Sequence, residues 1–141
     1  MKSLISKLGL FSVILAAGAF QALALDGAVV IANSGVAADS LSADALKDIY
    51  TAKTKYWEGG QNITIVVVAD KADAALQQAS GMEASQFKTF WQRLAFSGRA
   101  QEPKSASDGA AAVSLVASTK GAVAIVPADT ALTGVKKIEI K

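Results

Sequence analysis

Three short segments of apolar, largely β-branched residues constrain the fold of this chain more than any other feature. They occupy residues 28–32 (AVVIA), 63–69 (ITIVVVA) and 122–126 (AVAIV). None of them alternates regularly between polar and apolar side chains, which is typical of strands that are buried on both faces of a helix-covered sheet. A fourth segment, residues 135–140, alternates imperfectly and carries charge, which predicts an edge strand.

The segments between these runs have helical periodicity. Ser42 is a good N-cap residue for a first helix, a second helix is predicted to begin at Glu83, and a third covers residues 108–118. Strands that alternate with helices predict an α/β fold with a largely parallel central sheet flanked by helices. The side chains expected to face the core from the first two helices are Leu46, Ile49, Tyr50, Phe87, Phe90, Trp91 and Leu94.

The N-terminus has the pattern of a secretory signal. Lys2 and Lys7 form a basic start, residues 8–20 are apolar, and Ala22-Leu23-Ala24 has the small residues that precede a signal-peptidase cut. We therefore expect a signal peptide over residues 1–24, a mature domain over residues 25–141, and a periplasmic location. The apolar run is short for a membrane span, so we expect no membrane insertion after the signal is removed.

Composition excludes several classes of function. Lys2 and Lys7 account for two of the 14 basic residues, so 12 basic and 12 acidic residues remain, and a neutral domain is not expected to bind nucleic acid. Cysteine and histidine are absent, which excludes thiolate and imidazole metal sites and Ser-His-Asp catalysis. Ser85 and Lys88 have the S-x-x-K spacing without its companion motifs. We predict no enzyme activity, no catalytic residue, no metal and no cofactor.

Two long stretches resemble a known family. Residues 41–60 (LSADALKDIYTAKTKYWEGG) are similar to a helix-to-tryptophan segment of the periplasmic phosphate-binding proteins of ABC transporters. Residues 90–129 resemble the helix, Ser-Gly turn and Gly-Ala strand near that family's end, and the short single-lobe members are the most similar. The resemblance implies a single lobe of a type 2 periplasmic binding protein, with ligand contacts from loops at the strand ends.

One loop departs from that family. Full members hold phosphate with an Arg-Ser-Asp-Gly-Ser-Gly-Thr type loop, but residues 69–74 of this chain read ADKADA. Lys71 offers a single positive charge, and Asp70 and Asp73 would repel the same anion. The alternative interpretation is that one of the two aspartates caps a helix over residues 71–79. High-affinity phosphate binding at this loop is therefore not expected.

Two other loops keep polar groups that could contact a small anion, with Lys71 as the third corner of a single site. One loop follows the first strand, and its alternative interpretation is an ordinary turn. The other precedes the last helix, where Arg99 and Lys104 add charge nearby in sequence and capping is the alternative. The candidate binding residues are Asn33, Ser34, Lys71, Ser105, Ser107, Asp108 and Gly109.

Two functional hypotheses follow from the sequence. In the first, the chain is a solute-binding protein that binds phosphate or a similar small anion weakly and serves the membrane components of an ABC transporter. In the second, it is a ligand-free interaction module that keeps the fold of the lobe and contacts another envelope protein.

Overall fold

A computed structural model describes residues 27–68 and 73–141. The predicted signal peptide and Lys71 lie outside these ranges. The described residues form one six-stranded sheet and four helices. The strands are β1 (Ala28–Asn33), β2 (Ser40–Leu41), β3 (Thr64–Val68), β4 (Lys104–Ala106), β5 (Ala122–Pro127) and β6 (Val135–Ile140). The helices are α1 (Ala43–Tyr50), α2 (Asp73–Ser80), α3 (Ala84–Phe96) and α4 (Gly109–Ser118).

The sheet has the order β2-β6-β1-β5-β3-β4, so the three apolar runs lie side by side as predicted. Strand β3 is parallel to β4 and β5, and β2 is parallel to β6, which confirms the α/β fold class. Strand β1 is antiparallel to both of its neighbours, β5 and β6. Hydrophobic periodicity records that a strand is buried but not which way it runs, so this reversal is invisible in the sequence.

The prediction that residues 135–140 form an edge strand is wrong. Strand β2 pairs with β6 on its outer side, and Leu41 lies opposite Ile140. The charge on β6 is used within the fold, because Lys136 Nζ donates a hydrogen bond to the Val36 carbonyl at 2.8 Å and lies 2.6 Å from an Asp39 carboxylate oxygen. The hydrogen bond and the charge of Lys136 hold the pKa of Asp39 below its usual value.

The core has two layers, one on each face of the sheet. Among the described helices, α1, α2 and α3 cover the first face, and α4 covers the second. Alternate residues of β5 divide between the layers: Val123 and Ile125 belong to the first, and Ala122, Ala124 and Val126 belong to the second. Both faces of the sheet are therefore covered and shielded from water, which explains why these strands do not alternate between polar and apolar side chains.

The predicted helices form with the expected caps. Ser42 Oγ accepts a hydrogen bond from the Ala45 backbone N–H at 3.0 Å at the start of α1. In α3, Phe87 and Trp91 are buried, and the Trp91 indole N–H donates to the Tyr50 carbonyl at 3.1 Å. This bond joins α3 to the end of α1 and fixes how the two helices pack.

The hydroxyl of Tyr50 is an unsatisfied polar group within this packing. The residue is 1% exposed, and its hydroxyl oxygen has no hydrogen-bond partner among the residues that the structure describes. Burial also raises the pKa of Tyr50 above its usual value. A buried hydroxyl without a partner has lost its hydrogen bonds to water and has gained none within the protein. This destabilises the folded state by about 1 kcal/mol or more.

We therefore expect Tyr50→Phe to leave the free energy of unfolding unchanged or to raise it by up to about 1 kcal/mol. Urea unfolding followed by circular dichroism measures this change. Tyr56→Phe is the matched control, since the Tyr56 side chain is largely exposed and its replacement should have no effect. A clear loss of stability in Tyr50→Phe would show that the hydroxyl has a partner and would contradict the prediction.

Candidate functional site

The carboxyl ends of three parallel strands meet at one end of the sheet, which we call the carboxyl end. Strands β3, β4 and β5 finish there at Val68, Ala106 and Pro127. Because β1 is antiparallel, its first residue, Ala28, lies opposite Pro127 at the same end. In open α/β sheets this is the end at which ligands bind.

A cleft lies at this end between the start of α4 and the loop after β5, and we call it the carboxyl-end cleft. Helix α4 begins at Gly109, so its first-turn N–H groups point toward the cleft with the positive end of the helix dipole. The residues that line it are Gly27, Val68, Ser107, Asp108, Gly109, Ala110, Pro127, Ala128, Asp129, Thr130 and Ala131.

Three of the candidate residues, Ser107, Asp108 and Gly109, line this cleft together. Asp108 is the N-cap of α4, and its Oδ1 accepts a hydrogen bond from the Ala111 N–H at 2.8 Å. The capping interpretation of this loop is therefore confirmed. Whether the three residues also bind a ligand stays a prediction.

Thr130 is a residue of this site that the sequence does not predict. A Cβ atom added to Gly109 would lie 2.5 Å from the Thr130 hydroxyl oxygen and 3.4 Å from Cδ of Pro127. The Thr130 hydroxyl thus sits directly against the first turn of α4, where only a glycine leaves it room. A threonine in a loop after a strand gives no sequence signal of this contact, since it is made between the end of β5 and the start of α4, which are distant along the chain.

Asn33 and Ser34 do not join this cluster. They follow β1, and the antiparallel direction of β1 places them at the opposite end of the sheet, beside the start of β5. The Asn33 side-chain amide is 7% exposed and donates to the Val116 and Ala117 carbonyls at 2.9 and 3.1 Å, while its Oδ1 accepts from Gly35 N–H. It therefore caps the C-terminal end of α4, and the prediction of one site that included both loops is wrong.

The other candidate residues lie apart as well. Ser105 is an exposed residue of β4 and does not line the carboxyl-end cleft. Lys71 lies outside the described residues. Of the two cations expected to help, Lys104 begins β4 and Arg99 lies near the start of β3 with Asn62 and Thr64. The strand direction, and not the distance along the chain, decides which of these groups can meet.

The described lining residues of the carboxyl-end cleft carry net negative charge. Asp108 and Asp129 line it, and the described residues around it include no lysine or arginine. Within the described ranges no three acidic side chains come together as a metal site. An anion would have to rely on the first-turn N–H groups of α4 and on the hydroxyls of Ser107 and Thr130.

The known proteins that this chain resembles are solved structures. No family model matches it, and no curated protein matches its sequence. Among solved structures, a Clostridium perfringens protein described as a phosphate ABC transporter substrate-binding protein, with bound phosphate, superposes with a TM-score of 0.63 at 19% identity. An ABC-type phosphate transport receptor from Vibrio cholerae gives 0.56 at 18% identity, and PstS from Borrelia burgdorferi gives 0.61 at 8%.

The chain has the periplasmic binding-protein fold. The matches cover 84% of this chain in each case, but 46%, 47% and 48% of the three neighbours. The chain therefore spans less than half the length of the proteins it resembles and matches a single lobe of the periplasmic binding-protein fold. The described residues contain no helix long and apolar enough to cross a membrane.

Proposed function

We propose that this chain is a periplasmic solute-binding domain that binds a small oxyanion such as phosphate weakly at the carboxyl-end cleft. The observation that carries the proposal is the meeting of three parallel strand ends with the N-terminus of α4 at that cleft. The fold supports it, because the neighbours named above are described as phosphate transport proteins. Such a domain acts without catalysis and presents its ligand to the membrane components of an ABC transporter.

The affinity is low because the cleft offers few donors and two carboxylates. The Ala111 N–H is already bonded to Asp108, which leaves the N–H groups of Gly109 and Ala110 as the open donors of the first turn. Asp129 adds a second negative charge to the lining. A doubly charged anion that must sit near both carboxylates is expected to bind with a Kd on the order of 1 mM.

Thermal unfolding with phosphate, sulfate or molybdate at constant ionic strength tests this proposal. At an anion concentration equal to the Kd, binding to the native state adds about 0.4 kcal/mol, which corresponds to a rise in Tm of about 2 °C. We expect Asp129→Asn to enlarge this rise, because the substitution removes a repelling charge. Asp44→Asn, on the exposed side of α1, makes the same change in net charge away from the cleft and should leave the rise unchanged.

A ligand-free interaction module is the second candidate function. The observation that favours it is that Asp108 fills with its own carboxylate the position that an anion would take at α4. An unchanged Tm with all three anions in wild type and Asp129→Asn, together with an envelope protein that copurifies with the chain, would replace the first proposal by this one.

A further inference from the structure

A second cleft lies at the amino end of the sheet, where β3, β4 and β5 begin, and we call it the amino-end cleft. The start of β3, the loop before it and the loop after α3 surround a cavity of about 270 Å³. This volume suits a ligand somewhat smaller than a typical drug molecule. The carboxyl-end cleft is at the other end of the same strands, so the two sites are separate.

The floor of the amino-end cleft is apolar. Ile49 of α1, Ile65 of β3 and Trp91 of α3 contribute to its lining and are 2%, 5% and 6% exposed. The indole N–H of Trp91 is already bonded to the Tyr50 carbonyl, so the ring offers the cleft its apolar surface. A ligand that covers this floor must therefore have an apolar part.

Two cations stand at the mouth of the cleft. Lys55 Nζ donates to the Arg99 carbonyl at 2.7 Å, which ties the two loops together and leaves the ammonium group two further N–H donors. The Arg99 guanidinium forms no ion pair within residues 27–68 and 73–141, where Lys136 and Asp39 form the one pair. Glu102 also lines the cleft, so its charged lining residues sum to one positive charge.

The charge of this lining is opposite in sign to that of the carboxyl-end cleft, which has two carboxylates and no cation among its described lining residues. A planar carboxylate fits the fork of an arginine, and an ammonium in the same lining adds to the attraction. We propose that the amino-end cleft binds a small amphipathic monocarboxylate, with its carboxylate at Lys55 and Arg99 and its apolar part over Ile49, Ile65 and Trp91.

Hexanoate is the probe for this site, and the indole N–H resonance of Trp91 in a ¹H–¹⁵N spectrum is the readout. We expect saturable binding of hexanoate and much weaker binding of acetate, which lacks the apolar part, and of 1-hexanol, which lacks the charge. Arg99→Gln should weaken the binding of hexanoate about tenfold, because it removes a charge-assisted hydrogen bond. The guanidinium has no ion-pair partner in the described residues, so this variant should fold normally.

Arg93→Gln is the matched control, because Arg93 is an exposed arginine of α3 outside the cleft and its loss should leave the affinity unchanged. Lys55→Gln is a second variant that should also weaken binding. Equal affinity for hexanoate and 1-hexanol, an unchanged affinity in both cleft variants, or the lack of saturable binding would overturn the proposal. Phosphate should instead shift the backbone amide resonances of Gly109 and Ala110 in the carboxyl-end cleft. The two proposals therefore have different readouts, and each can be contradicted independently of the other.

Discussion

Replacing Gly121 with alanine is expected to remove about 3 kcal/mol or more of the domain's stability. Gly121 has a φ of +76°, and an added Cβ would lie inside contact distance of the Asn62 carbonyl oxygen. The strain of a left-handed alanine costs about 1–2 kcal/mol, and a clash with backbone that must shift adds about 1–3 kcal/mol. The total free energy of unfolding of a small domain is about 5–15 kcal/mol, so the loss expected from this single methyl group is a large fraction of it.

The position is sensitive because two bonds converge on the carbonyl of Gly121. The Trp57 indole N–H donates to it at 2.9 Å, and the Thr64 backbone N–H donates at 3.1 Å. A shift of Gly121 would disturb a buried tryptophan and the start of β3 together. Loss of cooperative unfolding, or a large fall in the urea midpoint, is the expected result.

Gly98→Ala is the matched control for Gly121→Ala. Gly98 has nearly the same φ, +75°, but an added Cβ would have nothing within 4 Å. Gly98→Ala should therefore show the backbone strain alone, about 1–2 kcal/mol. Equal destabilisation by the two substitutions would show that the contact with Asn62 has no cost and would contradict the first prediction.

Trp91→Ala is expected to cost about 3–5 kcal/mol, the range for loss of a large buried aromatic side chain. Trp91 lies with its ring centroid 6.0 Å from both Phe87 and Phe90, and its indole N–H satisfies the Tyr50 carbonyl. Its removal would leave a cavity between α1 and α3 and a buried carbonyl without its partner. Urea unfolding at 25 °C measures the change.

Phe96→Ala serves as the control on the same helix. The Phe96 side chain is 96% exposed at the end of α3, so its removal should change the free energy of unfolding by no more than about 0.5 kcal/mol. A similar loss in the two variants would mean that Phe96 is covered in solution and would contradict the prediction that burial separates the effects of the two substitutions.

The two pairs of variants separate the effect of residue type on stability from the effect of tertiary contacts. Gly121 and Gly98 have nearly the same φ but different surroundings, and Trp91 and Phe96 are both aromatic but differ in burial. In both pairs the sequence shows like residues, and the tertiary contacts predict unlike effects. Tertiary surroundings, rather than residue type, are therefore expected to decide how much each of these side chains affects stability.

The helices and the buried strands could be predicted from local patterns. Ser42 caps α1, Phe87 and Trp91 face the core from α3, and α4 begins after Asp108, because capping and periodicity depend on neighbours within one or two turns. Local patterns do not predict strands β2 and β4. They have two and three residues, which is too short for periodicity to distinguish them from loops.

The candidate site could be predicted only in part. Ser107, Asp108 and Gly109 are adjacent in sequence, so any fold that starts a helix there brings them together. Thr130 reaches Gly109 only because β5 ends beside the start of α4. The sequence assigns Asn33 to the same site because a polar residue after a buried strand is a frequent binding position, but its amide caps the far end of α4.

The sequence by itself determined which segments are buried and where the helices start and stop, since those properties follow from side-chain chemistry over a few residues. Only the tertiary structure decided the direction of β1, and with it which loops share an end of the sheet. A strand buried on both faces has the same composition whichever way it runs, so the sequence could not separate the acidic cleft at one end from the cationic cleft at the other.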